Sequence, residues 1–333
     1  MTIYYSIRDF QRSCSDIPYG EELISLLELL EKINSCEVEY DFHEGGIVIS
    51  YILKLNLFNF LNVFPMYIKT RIIGLPISLS EKGYLGNPSA VEDIIKNKKG
   101  LKIVLNGDKS LDLKGRTLST FVFNNRFSTF EEYLSNLRSS YRRRIKIALV
   151  HREDLIIRRI NCSDFNDKHY SLYLSIMKRT DDPLETLPIE FFTYYDSEIY
   201  EFLDRETEEV LAFIQLKEFG DSLYFLFCGF NKEDNERYDL YYNMLIKILE
   251  IGIDKGVKSI NYGQTSEESK LKLGCVEVPR YLGIYHSNFI LDKLLKLLLP
   301  AFSYKPYKTK HNVFKSSVDF GGVNDSFLKE SKN

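Results

Sequence analysis

Apolar residues recur every three or four positions through Leu23, Leu26, Leu27, Leu30 and Ile33, which predicts one helical stripe over about Gly20 to Ile33. Alternating and branched runs then predict strands at Cys36 to Phe42, Gly46 to Leu57 and Tyr67 to Leu79, with Gly45-Gly46 as a hairpin turn. A helix near Ser89 to Lys98, strands at Leu101 to Leu105 and Thr117 to Asn124, and a helix from Thr129 onward follow. The order then repeats: a helix over Asp164 to Lys178, and strands at Glu198 to Leu203, Val210 to Glu218 and Ser222 to Phe230, turning at Gly220-Asp221. Leu240, Met244, Leu245, Ile248 and Ile251 predict a helix from Arg237 to Asp254, stopped by Gly256.

This alternation is that of an α/β protein with mixed sheets, and the repeated order points to two tandem units, although no residue-level repeat is visible. The expected division is 1–127, a basic connecting helix and strand at 128–160, a C-terminal domain at 161–318 and a flexible tail at 319–333 that includes Gly321-Gly322. A length of 333 residues allows two domains with separate cores.

Charge and cysteine usage narrow the function classes. A net charge of -3 argues against a general nucleic-acid binder. The five cysteines are scattered without a CxxC pair, and the five histidines show no HxxxH spacing, so no metal is expected. No GxSxG elbow, Walker loop or dinucleotide fingerprint is present. Met1 to Ser6 does not read as a charged leader, and the expected location is cytoplasmic. The apolar-rich stretches Ile47 to Ile68 and Phe289 to Phe302 are interrupted too early to span a bilayer. The second fits a core helix followed by a basic tail, with peripheral contact to an anionic membrane as the other reading.

The most informative segment is Asn261-Tyr262-Gly263-Gln264-Thr265-Ser266-Glu267-Glu268-Ser269-Lys270-Leu271-Lys272-Leu273-Gly274. A short strand (Val257, Ile260, Tyr262) ends at Gly263, and Thr265 or Ser266 is placed to cap a helix whose first turn is acidic. Lys270 then falls about one turn in, where an ordinary capped surface helix with a Lys270–Glu267 pair is the plain reading.

The strand, the Gly-Gln-Thr turn, the acidic residues, Lys270, Gly274 and the extended run Val276 to His286 resemble the C-terminal half of GNAT-superfamily acyltransferases of the two-domain, peptidoglycan-biosynthesis-like type. These are similar in turn to the Fem-type aminoacyl transferases. The resemblance continues through Ser287-Asn288-Phe289-Ile290 to Asn312-Val313-Phe314-Lys315, and includes the basic helix Tyr141-Arg142-Arg143-Arg144-Ile145-Lys146. It implies two GNAT-like domains, the first degenerate, and N-acyl transfer to an amine in cell-envelope or specialised-metabolite assembly. The implied donor is acyl-CoA or acetyl-CoA, an acyl carrier protein or a charged tRNA, and the acceptor a small-molecule or peptide amine.

The resemblance carries a catalytic role onto Lys270 alone, with Gly274 as its matching partner; Thr265 and Tyr262, in the same turn and strand, are the further catalytic candidates. Gly263, Gln264, Arg142, Arg143, Lys146 and Tyr238 are the expected substrate-binding residues. Tyr262, Glu267 and Asp239 stand as alternative bases. Arg138, Arg142 and Lys146 recur every four residues and share a helical face, either to dock a phosphate or carboxylate or to pair with Asp181, Asp182, Glu185 and Glu190. One departure stands out: Phe230 to Tyr238, where a GNAT domain carries a glycine-rich pyrophosphate loop, contains no glycine. A non-catalytic binding protein on the same fold is therefore the rival reading.

Overall fold

A computed structural model describes residues 1–14, 20–34, 36–56, 67–179, 186–306 and 309–315. The first half contains β1 (Thr2–Tyr4), α1 (Ile7–Ser13), α2 (Glu21–Ile33), β2 (Val38–His43), β3 (Gly46–Asn56), β4 (Tyr67–Ile73), β5 (Tyr84–Gly86), α3 (Pro88–Asn97), β6 (Leu101–Gly107) and β7 (Gly115–Arg116). There follow β8 (Thr120–Asn124), α4 (Phe130–Asn136), α5 (Ser139–Arg152), β9 (Leu155–Ile160), α6 (Asp167–Met177), α7 (Ile189–Tyr194), β10 (Glu198–Asp204), β11 (Val210–Phe219) and β12 (Ser222–Phe230). The chain closes with α8 (Lys232–Tyr238), α9 (Leu240–Asp254), β13 (Ser259–Asn261), α10 (Glu267–Lys272), β14 (Val276–Val278), β15 (Tyr281–His286) and α11 (Phe289–Phe302).

Two compact units result: Met1–Ser119 with Pro279–Pro306, and Thr120–Val278 with 309–315. The first unit's sheet runs β1-β2-β3-β4-β6-β15-β7, with β5 on β3. The second runs β14-β8-β13-β12-β11-β10-β9. Each is antiparallel except at one place, β4 beside β6 and β12 beside β13, where the strands are parallel. A parallel neighbour requires a crossover, and α3 and α9 lie in those connections. The two sheets therefore share a plan of four antiparallel strands, a helical crossover, a parallel strand, and then two more antiparallel strands.

That plan is completed by exchange. β15, from the C-terminal half, pairs with β6, whereas β8, from the N-terminal half, pairs with β13. The extended run Val276 to His286 is thus split between two sheets, β14 in the second and β15 in the first, whereas Thr117 to Asn124 supplies only β8 to the second. Residues 279–306, expected in the C-terminal domain, build the first unit instead.

Local patterning explains the individual elements. Leu23, Leu26, Leu27 and Leu30 of α2 are all buried. Glu44 and Gly45 turn the β2–β3 hairpin with φ of 43° and 76°, the left-handed pair that suits strand twist. α9 is buried around most of its circumference, with Met244, Leu245, Ile248 and Leu249 at the centre of the second unit's core. The helix expected to run on from Thr129 breaks at Leu137, which turns extended (ψ 146°) and bridges Phe314. The expectation of a core helix over Phe289 to Phe302 is also corrected: α11 buries Leu299 but leaves Phe289, Ile290, Leu294 and Leu297 exposed.

Candidate functional site

The candidate site lies in the second unit, where β13 hands the chain to α10. The strand ladder extends past Asn261, since Tyr262 N–H donates to Phe121 O (2.9 Å) and Phe121 N–H to Gly263 O (3.0 Å). Gly263 then turns with φ +69°, and its N–H is held by Asn261 Oδ1 at 2.8 Å. Thr265 and Ser266 follow at φ +49° and +52°, left-handed conformations that are uncommon for residues with a Cβ. Ser266 is the N-cap of α10, one of the two expected positions, but it makes no side-chain cap bond there. Two such residues in succession store strain, and they leave the Gln264 carbonyl accepting a hydrogen bond from Lys270 Nζ.

Lys270 is not the exposed lysine its sequence setting implies. It is 2% exposed, with its ammonium 5.9 Å from the Phe121 ring centroid. Burial lowers its pKa to about 8, against a weaker opposing pull from Cys275, Cys228 and Glu267. No carboxylate among the described residues forms an ion pair with it, so the expected Lys270–Glu267 pair is absent. The surrounding shell is firm. Tyr133 donates its hydroxyl to Leu273 O at 3.0 Å, and Gly274, at φ +96°, lies so close to Phe314 that a Cβ there would fall 2.4 Å from the ring.

The alternative bases separate clearly. Tyr262 is buried, gives its hydroxyl to Leu245 O at 3.0 Å and has its pKa raised well above the ordinary value by burial. It is a core residue, unable to take a proton near neutral pH. Asp239 is clamped in a two-pronged pair by Arg144 (2.7 and 3.0 Å) and by His151 Nδ1 (3.0 Å). Those partners outweigh burial and hold its carboxyl below the usual range. Glu267 remains half-buried near Lys270, and its charge acts on the ammonium.

Tyr238, expected to bind substrate, is buried and donates its hydroxyl to Asp204, which holds that carboxyl at about 2. The basic helix is α5, and its cations divide by task. Arg138 donates to Phe314 O (3.0 Å), and Arg144 is consumed by Asp239. Arg142, Arg143 and Lys146 have no hydrogen-bond or ion-pair partner among the described residues, and they line a groove of about 270 Å³ with Ser139, Ile147 and Val150. Glu190 makes no ion pair with them, and Asp181, Asp182 and Glu185 lie outside the described residues. The groove's lining does not include Lys270.

The glycine-free stretch after β12 folds as α8 and meets α9 at Asp239, whose backbone is left-handed. A carboxylate therefore occupies the start of α9, in the connection where a phosphate-binding loop was sought. Sequence reasoning missed both this clamp and the burial of Lys270. The clamp's residues, Arg144, His151 and Asp239, are about 90 positions apart in pairing, which no local pattern signals.

No family model and no curated protein matches the chain. Solved structures do. FemX is 10% identical, with 90% of this chain and 100% of FemX covered at a TM-score of 0.51. The C-terminal domain of a putative lysylphosphatidylglycerol synthetase from Agrobacterium fabrum is 11% identical, covering 87% of this chain and 97% of that one at a TM-score of 0.50. L-PGS from Bacillus licheniformis is 11% identical, covering 85% and 96% at a TM-score of 0.50. At such identities the likeness is one of fold: the chain shares the fold of these proteins and builds it as two α/β units.

Proposed function

We propose that the protein is an N-acyltransferase that moves an acyl or aminoacyl group onto an amine, in cell-envelope or specialised-metabolite assembly. The observation that carries this reading is the buried Lys270 ammonium, with no ion-pair partner, beside a strained turn. Attack of a neutral amine on an acyl carbonyl builds negative charge on the carbonyl oxygen. A positive charge fixed in a dry setting stabilises that oxyanion far more than one in water. Collapse of the intermediate breaks the bond to the carrier oxygen or sulfur, and the amine's proton leaves with that group or with a base. Glu267 is the remaining candidate for the latter, since Tyr262 and Asp239 are engaged elsewhere. Arg142, Arg143 and Lys146 supply the docking surface for a phosphate or carboxylate on a substrate.

For the donor, the start of α9 argues against a pyrophosphate cradle, because the connection before it contains no glycine and folds as α8, and the Arg144 guanidinium beside it is already taken up by Asp239. A charged tRNA or an acyl carrier protein fits this better, as neither needs that cradle. The same observation favours a second reading, a binding protein that keeps the fold without donor chemistry. Thermal melting with acetyl-CoA, longer acyl-CoAs and charged tRNA, followed by a transfer assay on amines, separates the two. A rise in Tm with charged tRNA together with amide product supports the enzyme. No stabilisation and no product with any donor overturns it.

A further inference from the structure

Helix α11 carries a surface that acyl transfer leaves unexplained. Leu299 packs inward, whereas Phe289, Ile290, Leu294 and Leu297 are 68%, 74%, 50% and 77% exposed. Ile290, Leu294 and Leu297 fall within about 60° of one another around the helix, so they form one continuous apolar stripe. Single exposed apolar residues are ordinary on a protein surface; a stripe of this kind marks a contact.

The charges around the stripe specify the contact. Lys293 Nζ stands 4.3 Å from the Phe289 ring centroid, Lys296 Nζ stands 5.1 Å from that of Tyr285, and Lys305 is exposed beyond the helix. Asp292, the helix's one carboxylate, is engaged by His286 N–H at 2.8 Å and by Lys296 at 2.8 Å. Ammonium groups therefore border an apolar face that carries no carboxylate. We propose that α11 seats the protein on an anionic lipid surface. At 14 residues the helix is about 21 Å long, short of a hydrocarbon core of about 30 Å, so it lies in the interface plane. A second copy of the chain would present the same lysines, like charge against like, whereas lipid phosphates complement them. The inference stands or falls independently of the transfer reaction.

Co-sedimentation of the full chain with phosphatidylcholine vesicles, with and without phosphatidylglycerol, tests it. Binding is expected with phosphatidylglycerol, and Leu294→Asp with Leu297→Asp should weaken it by at least about tenfold, from the lost burial of two leucines. Lys293→Gln should weaken it by about fivefold, and only for the anionic vesicles. Both leucines are exposed, so an unchanged melting temperature accompanies the double variant. Three results overturn the inference: no sedimentation of the wild type, equal binding by the leucine variant, or a dimer in light scattering that the leucine substitutions disperse without vesicle binding.

Discussion

Replacing Lys270 with methionine keeps the length of the side chain and removes its charge, and the structure gives the consequence for stability a definite sign. In the unfolded chain the ammonium keeps its proton up to about its ordinary 10.5, whereas the folded protein releases it near 8. Between those values unfolding takes up a proton, so this group's contribution to stability rises with pH. Below pH 8 the buried charge costs about 3 kcal/mol relative to the neutral amine, and about 2 kcal/mol of this is recovered between about pH 7 and pH 9.5. Lys270→Met escapes the penalty at every pH but gives up the hydrogen bond to Gln264 O, which costs about 1 kcal/mol.

Urea denaturation of both proteins across that range is the assay. The variant should be the more stable at pH 7, and its advantage should shrink by about 2 kcal/mol as the pH reaches 9.5. Acyl transfer should fall by at least about a hundredfold, as expected for one lost oxyanion partner. A stability difference that stays flat with pH would refute the buried charge. Full activity in the variant would refute its role in transfer.

Three other substitutions separate binding, packing and chemistry. Arg142→Ala with Arg143→Ala should raise the acceptor KM by at least about tenfold at unchanged kcat, while Tm barely moves because neither cation has a folded-state partner; an unchanged KM at low salt returns α5 to a solvated face. Tyr262→Phe should cost about 1 kcal/mol through the lost hydrogen bond to the Leu245 carbonyl, which keeps its bond within α9, and leave kcat intact, whereas a large fall in kcat without loss of stability would make Tyr262 an acid-base group. Gly274→Ala meets both the φ of +96° and the Phe314 ring, and should destabilise by at least about 2 kcal/mol in chemical denaturation; a neutral result would mean that the ring shifts freely.

Elements whose signal is local were legible in the chain. The α2 stripe, the β2–β3 and β11–β12 hairpins and the length of α9 follow from periodicity and turn chemistry within a dozen residues. The exchange of β8 and β15 was not, because it depends on which distant strand completes each ladder, and an extended run reads the same whichever sheet receives it. The break after α4 escaped for a similar reason. Leu137 keeps helical spacing with Leu134 and Tyr141, but a partner 177 positions away in Phe314 draws it out of the helix.

For the site, the residue types were legible and their environments were not. Glu267 to Lys272 sets two acids in the first turn and two lysines in the last, as a solvated helix does, and nothing in that pattern distinguishes Lys270 from Lys272. The structure does: Lys272 pairs with Glu268 at 2.6 Å, while Lys270 is turned toward Phe121, a side chain supplied by the exchanged strand β8. Folding alone gives no reason to keep an ammonium there, since a methionine of similar length would avoid a penalty of about 3 kcal/mol at neutral pH. The strain at Thr265 and Ser266 adds a further cost of about 1 kcal/mol or more for each residue. A strained turn beside an expensive charge is what the proposed transfer chemistry calls for, and the pH dependence of Lys270→Met measures whether the charge is present at all.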